Sequence, residues 1–525
     1  MNRFIKGLAA SAVALWVAQV GFAGSAAAEG NKSLTAVLEA EIVTLDPHFT
    51  TAYITRTFGY MVYDTLFAMD GAGNIKPQMV DTWTVSDDNL TWSFKLRDGL
   101  KWHDGAPVTS EDVVASIKRW WEVAALGVQL RNATDAITAD SATEFTIKLK
   151  EPFGLITTAL GHPNAPVAFM MPKRLAETPA NVQLQEVVGS GPFVYDRERH
   201  RQGDTMVLKR NDSYVPRSEP ADFMAGAKVV NIDELVIKTL PDAVTAATAL
   251  TAGEIDYVQY PPFDLLPVLE GDPNIKVLSF TGVNMYQGYF RLNHRLAPFD
   301  DPEIRRVLWS VVDQNSVPAA LGLSGQYTVP DCKSFFLCGT PYETTAGSIS
   351  PEAPSVELAK EALAKTKYNG EKIVILQATD IDATRVSSAV AADWLRQVGF
   401  NVELQAMDWA SVLSTRANPE AWHLFGVHAT GLDLSLPNTH FYTARNCVDY
   451  AGWHCDEKMG EYLAAFPRAT SEEERKQLAD RISERAYEIT PAVMWGQIAQ
   501  PAAYRSGFEG IIPSSIPVFW NLERK

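Results

Sequence analysis

PQMVDTWTVSDDNLTWSFKLRDGLKWHDGAPVTSEDVVASIKRW, residues 77–120, is the stretch whose reading decides the fold. Leu90, Trp92, Phe94 and Leu96 alternate with Thr91, Ser93, Lys95 and Arg97, the period of two of a half-buried strand. Ser86-Asp87-Asp88-Asn89 is turn-forming, so Thr82–Val85 and Leu90–Leu96 read as a hairpin. Asp98-Gly99 turns the chain again, Leu100-Lys101-Trp102 reads as a short strand, and Asp104-Gly105 closes it. Thr109 or Ser110 then caps a helix whose first turn carries Glu111 and Asp112, where acids suit the helix dipole. Val113, Val114, Ile117, Trp120 and Trp121 share one face of that helix.

Outside this block the chain alternates strand and helix. Glu234–Thr239, Ala243–Thr251 and Ile255–Gln259 read as strand, helix and strand, with Gly253 as the stop. Asp301-Pro302-Glu303 opens a helix with buried positions Ile304, Val307, Leu308 and Val311. Ile373–Gln377, Ala383–Val398 and Val402–Gln405 make a β-α-β unit, which implies an α/β domain with a right-handed crossover. A helix near Thr55–Leu66, a long one over Ser471–Ile489 and a strand at Val493–Gln497 complete the outline.

The N-terminus has the form of a secretory signal: Arg3 and Lys6, an apolar run from Leu8 to Phe22, and Ala26-Ala27-Ala28 before Glu29. Cleavage after Ala28 would release the chain to the periplasm. A length of 525 residues is too great for one compact core and predicts two or three domains. A formal net charge of −17 argues against nucleic acid or anionic membrane as a partner. Cys332, Cys338, Cys447 and Cys455 form an even set in a chain expected to be exported, which favours disulfides. Three connectivities are open, the local pairs Cys332–Cys338 and Cys447–Cys455 being the simplest. Their spacings do not suit a zinc site.

"LTWSFKLRDGLKWHDGAPVTSEDV" (90–113), "VGSGPFVYD" (188–196), "LTAGEIDY" (250–257), "FRLNHRLAPFDDPEIRRVLWSVVDQNSV" (290–317) and "ERAYEITPAVMWGQ" (484–497) occur in an order that resembles the family-5 extracellular solute-binding proteins, the receptors of peptide- and nickel-type ABC importers. The resemblance implies a two-lobed α/β fold of the periplasmic-binding-protein type (type II, large form), with a subdomain inserted in lobe I. It places the signal at 1–28 and lobe I at 29–76, 187–283 and 493–525. The subdomain falls at 77–186 and lobe II at 284–492. It implies a monomer that captures a peptide, or another small polar solute, and delivers it to an inner-membrane permease, with no cofactor and no reaction.

Catalytic motifs are absent from the sequence: no His-Glu-x-x-His, Gly-x-Ser-x-Gly or P-loop. An exported α/β hydrolase, or a receptor serving mainly a chemosensor, are the alternative functions. Peptide-binding members carry a Trp at a helix start, an aromatic on the next strand and then an Asp that anchors the peptide ammonium. The resemblance thus assigns these places to Trp409, His428 and Asp433. His428 stands where Trp is frequent, and Asp433 comes two residues late, which leaves opines, modified sugars and other cationic or zwitterionic solutes open. No metal site is expected; if Trp422–His428 is a strand, His423 and His428 point to opposite faces. Tyr286 and Tyr289 lie where the chain enters lobe II; Tyr286 is taken as a cleft residue, and core burial is expected for at least one of the two.

Overall fold

The computed structural model describes residues 32–525; the expected signal segment lies outside the described residues. Val80–Val85 and Thr91–Leu96 pair antiparallel, and Glu144–Leu149 and Thr134–Ala139 extend them to a four-stranded sheet. Register puts Phe94 between Trp83 and Phe145, and the Phe94 and Phe145 rings stack at 4.8 Å. The expected strand at Leu100–Trp102 shrinks to a single bridge, Lys101 to Pro107. The turn that Gly105 closes on the Trp102 carbonyl reverses the chain before a ladder can grow.

The helix Ser110–Trp120 starts with a full capping box between Thr109 and Asp112. From its buried face Arg119 makes a bidentate pair with Asp46, at 2.9 and 2.7 Å, with both side chains sealed from solvent. Burial pushes the Asp46 carboxyl up. The Arg119 guanidinium and the N–H groups of Leu184 and His48 more than offset that, and hold it below its usual value.

Two larger sheets form the lobes. The first has seven strands, with Ser33–Val37 paired in parallel to Glu234–Lys238 on one side and Tyr257–Val258 on the other. The second has six, with Tyr286–Leu292 held between Ala492–Ile498 and Leu424–Thr430. Lys372–Ala378, the helix Asp382–Val398 and Asn401–Met407 form the expected parallel β-α-β unit in this second sheet.

The chain passes from the second sheet to the first after Ile498. Ala492–Ile498 is buried throughout and pairs with Tyr286–Leu292 and Thr328–Val329, so it is an interior strand of the second sheet. The chain crosses at 499–501 and re-enters the first sheet as Ala502–Arg505. The other crossing, 279–285, joins Ile275–Leu278 to Tyr286–Leu292. The first helix is Tyr53–Val62, two residues earlier than expected at its start, which brings Tyr53 into its first turn.

Cys332–Cys338 and Cys447–Cys455 are both disulfide-bonded. No helix among the described residues is long and apolar enough to cross a membrane.

Arg119→Met should strand the Asp46 carboxylate and cost about 3–5 kcal/mol in urea unfolding at pH 7. Asp46 has a depressed folded value, so its contribution is complete above the unfolded value of 3.8 and is lost as pH falls through the lower folded one. The gap between parent and variant should therefore narrow below pH 3.8.

Candidate functional site

Asp433 sits on a single helical turn, Gly431–Leu434, that follows directly from the strand Leu424–Thr430. Thr430 caps this turn through the Leu432 N–H, and the Gly431 N–H donates to the Met285 carbonyl at 2.7 Å. A Cβ on Gly431 would lie 2.3 Å from Leu337 and 2.7 Å from the Val283 carbonyl. Only glycine lets the turn rest against the crossing segment 279–285, so the position of Asp433 is tied to the hinge.

Across the cleft, the Tyr53 hydroxyl of lobe I donates to Oδ2 of Asp433. Oδ1 is buried and has no partner. Burial raises the Asp433 carboxyl above its usual value, with the Arg56 charge and the Tyr53 hydroxyl opposing. Arg56 stands one turn along from Tyr53, its guanidinium 4.5 Å over the Tyr53 ring. It is 6% exposed, donates to the Pro163 carbonyl at 3.2 Å and leaves Nε without a partner. Glu39, whose backbone N–H donates to Gln259, lies within charge range of Arg56, and burial raises its carboxyl too. The cleft thus holds two carboxylates and one guanidinium, and no ion pair within 4.0 Å joins them among the described residues.

Tyr286 and Tyr289 have the opposite-face relation that three positions on a strand impose. Tyr289 is fully buried and bonds Gln287 and His440 within lobe II. The Tyr286 hydroxyl instead meets the Tyr260 hydroxyl of lobe I at 2.7 Å. Its ring lies 5.7 Å from that of His428, the diagonal neighbour two register positions along the adjacent strand. Nδ1 of His428 has no partner, and burial lowers the imidazole to about 4, so it is neutral at pH 7.

The segment 428–435 runs between two inter-lobe cavities. One, of ≈ 180 Å³, is walled by Tyr260, Phe263, Ile381, Asp382 and His428. The other, of ≈ 230 Å³, is walled by Asn74, Thr158, His162, Ser435 and Leu436. The lobes meet around them through His162 and Ser435 at 3.1 Å, Asn438 and Gln129 at 2.8 Å, and Arg468 and Glu151 at 3.0 Å.

Of the four residues expected at the site, Asp433, Tyr286 and His428 come together on the lobe II wall. Trp409 starts the helix Trp409–Thr415 and packs on a lobe II cluster around Trp422 and Phe425. Its backbone N–H bonds Asp380 at 2.8 Å, which links it to the Ile381–Ala383 wall of the smaller cavity. His423 bonds the backbone of Val374 and Ala297 and takes no part. The lobe I side, Glu39, Tyr53, Arg56 and Tyr260, was not expected. One signal for it exists: Arg56 is a charge inside ITRTFGYMV, a helix buried on nearly every side.

Asp433→Asn should unfold at higher urea than the parent at pH 7, because a carboxylate with a raised folded value is a cost wherever the unfolded chain is ionised. The difference should vanish below the ordinary value of 3.8, where both states are protonated.

Residues 74–451 match the family model described as bacterial extracellular solute-binding proteins, family 5 Middle. Over 532 aligned positions, covering 99% of this chain and 98% of the relative, the chain is 36% identical to a protein of Sinorhizobium fredii named as a probable peptide ABC transporter periplasmic-binding protein. A binding protein solved with agropinic acid, from A. tumefaciens R10, superposes with a TM-score of 0.74 at 22% identity, over 94% of this chain and 99% of its own. A dipeptide-binding protein of Pseudoalteromonas sp. SM9913, solved with Met-Leu, superposes with a TM-score of 0.74 at 20% identity, over 94% and 100%.

Proposed function

We propose that this chain, which belongs to the bacterial extracellular solute-binding proteins of family 5, takes a short peptide or a peptide-like zwitterion between its lobes by the ammonium group. It is the substrate-binding component of an ABC importer, handing its ligand to a membrane permease, and its family is one of receptors rather than enzymes. Export through a signal cleaved after Ala28 agrees with this role.

The observation that carries the ligand reading is the enclosed Asp433 carboxylate with one oxygen on Tyr53 and the other unpaired. A charge so placed needs a cation or a proton, and a ligand ammonium supplies the first. Asp433 is the anchor and Tyr53 its partner from the opposite lobe. Arg56 faces the ligand carboxylate, Glu39 adds negative charge near the ammonium, and Tyr286 and His428 cover the adjacent side chain. Trp409 supports this wall from behind through Asp380. The two small cavities favour a ligand of a few residues over a long peptide. The lobe division that fits this reading keeps 29–76 and 187–283 in lobe I and 77–186 as its subdomain. It extends lobe II from 284 to 498.

Mass spectrometry of what co-purifies should identify a compound with a free amine. At 100 times its dissociation constant that compound should add about 2.7 kcal/mol of apparent stability. Asp433→Asn should weaken it by about 2–5 kcal/mol in calorimetry, and Tyr53→Phe by about 0.5–1.5 kcal/mol. Unchanged affinity in Asp433→Asn would remove the anchor.

A further inference from the structure

The strand that Tyr286 opens at the cleft ends at Leu292, and His294 lies just beyond that far end. There His294 and His454 face the helices Pro302–Val311 and Glu472–Ile489 across a cavity of ≈ 430 Å³ that shares no residue with the inter-lobe cavities. The two imidazole rings are 5.7 Å apart, and Nε2 of each is buried without a partner. His454 is 5% exposed. Its loop is pinned by the neighbouring Cys447–Cys455 disulfide and by the Cys447 N–H on the His454 carbonyl at 3.0 Å.

Arginines supply the other walls. Arg305, 4% exposed, is bound only to the main-chain carbonyls of Phe299, Asp300 and Ile489. Arg306 donates to the Glu488 carbonyl at 2.9 Å. Among the described residues neither has a carboxylate at ion-pair distance, whereas Arg485 is held by Asp456 and Glu488. Two unpartnered imidazole nitrogens and two unpaired guanidiniums thus converge on one cavity, in a chain with a net charge of −17. A structural core histidine satisfies its ring nitrogens.

We propose that this cavity is a second binding site, for a tetrahedral oxyanion of the sulfate or phosphate class, held by Arg306 and by the paired imidazoles of His294 and His454. Arg305 contributes charge from behind while its N–H groups stay on the backbone. The cavity is larger than a bare ion, so an organic substituent fits beside the charged group. Burial together with Arg291 and Arg305 lowers the His454 imidazole to about 4. The His294 imidazole is likewise lowered, chiefly by burial, with Arg305 and His454 adding to it. In the free protein at pH 7 both rings are therefore neutral, and an entering dianion favours their taking up protons. Arg485, with Asp456 and Glu488, and Asp300 and Asp301 beside Arg305, are the other charged groups around the pair. The bound anion raises the two rings above their free values, so binding between pH 8 and pH 5 takes up protons. Affinity should rise as pH falls through that range.

Calorimetric titration of the full mature chain with sodium sulfate, at constant ionic strength and at pH 6 and pH 8, tests this. Sulfate does not titrate in that range, so any pH dependence comes from the protein. Saturable binding that is tighter at pH 6 is expected. It should weaken about tenfold or more in His454→Gln and in the solvent-side variant Arg306→Gln, and persist in Asp433→Asn. The absence of saturable heat at either pH would overturn the proposal. So would unchanged binding in both Gln variants when they are folded by circular dichroism, or loss in Asp433→Asn, which would put the anion in the inter-lobe cleft.

Discussion

A carboxylate held away from water must find a cation or keep its proton, and Asp433 is the place where this protein meets that rule. One oxygen is spent on a hydroxyl from the opposite lobe, and the other faces nothing. A neutral donor cannot cancel a buried charge, so the group is left short of a full partner. The nearest positive charge, Arg56, lies beyond ion-pair distance and carries its own unpartnered Nε. The same pocket is thus short of a cation at one point and of an anion at another. A zwitterion corrects both, and does so only when the two lobes are together.

The surrounding frame fixes where these charges stand. Gly431 allows the Asp433 turn to lie against the crossing segment, so a change there reaches the Asp433 carboxylate directly. Tyr286 and Gln497, on antiparallel neighbouring strands, lead into the two crossings, and Tyr286 bonds Tyr260 across the lobes. On the lobe I side, Asp46 ties the loop before the Tyr53 helix to the helix Ser110–Trp120. A fully satisfied buried pair there is rigid, and the unsatisfied groups lie a short way along the same chain. Closure then needs few moving parts, since each lobe presents its half of the site from a fixed sheet or helix.

Much of this architecture was legible in the sequence. Alternation placed the hairpin at 82–96 against 80–96 in the structure, the Asp301-Pro302 cap started its helix, and the β-α-β unit fell within a residue or two of Lys372–Met407. The errors are physical. Leu100–Trp102 has a strand's composition, but a tight turn leaves no length for pairing. The strand Ala492–Ile498 is buried throughout, and nothing in an all-buried strand says which of two sheets receives it. At the site, the lobe II candidates came from the family resemblance, which follows order along the chain. The lobe I partners could not be reached that way. Tyr53 and Asp433 are 380 positions apart, and their pairing exists only once two independently folded sheets close on each other.

The central claim is that the free oxygen of Asp433 receives the ligand's cationic nitrogen. A crystal structure of the protein with its co-purified ligand tests this most directly. The account predicts an amine nitrogen about 2.7–2.9 Å from Asp433 Oδ1, with Tyr53 still on Oδ2. A ligand whose carboxylate or apolar end faces Asp433, or one seated without touching it, would contradict the account.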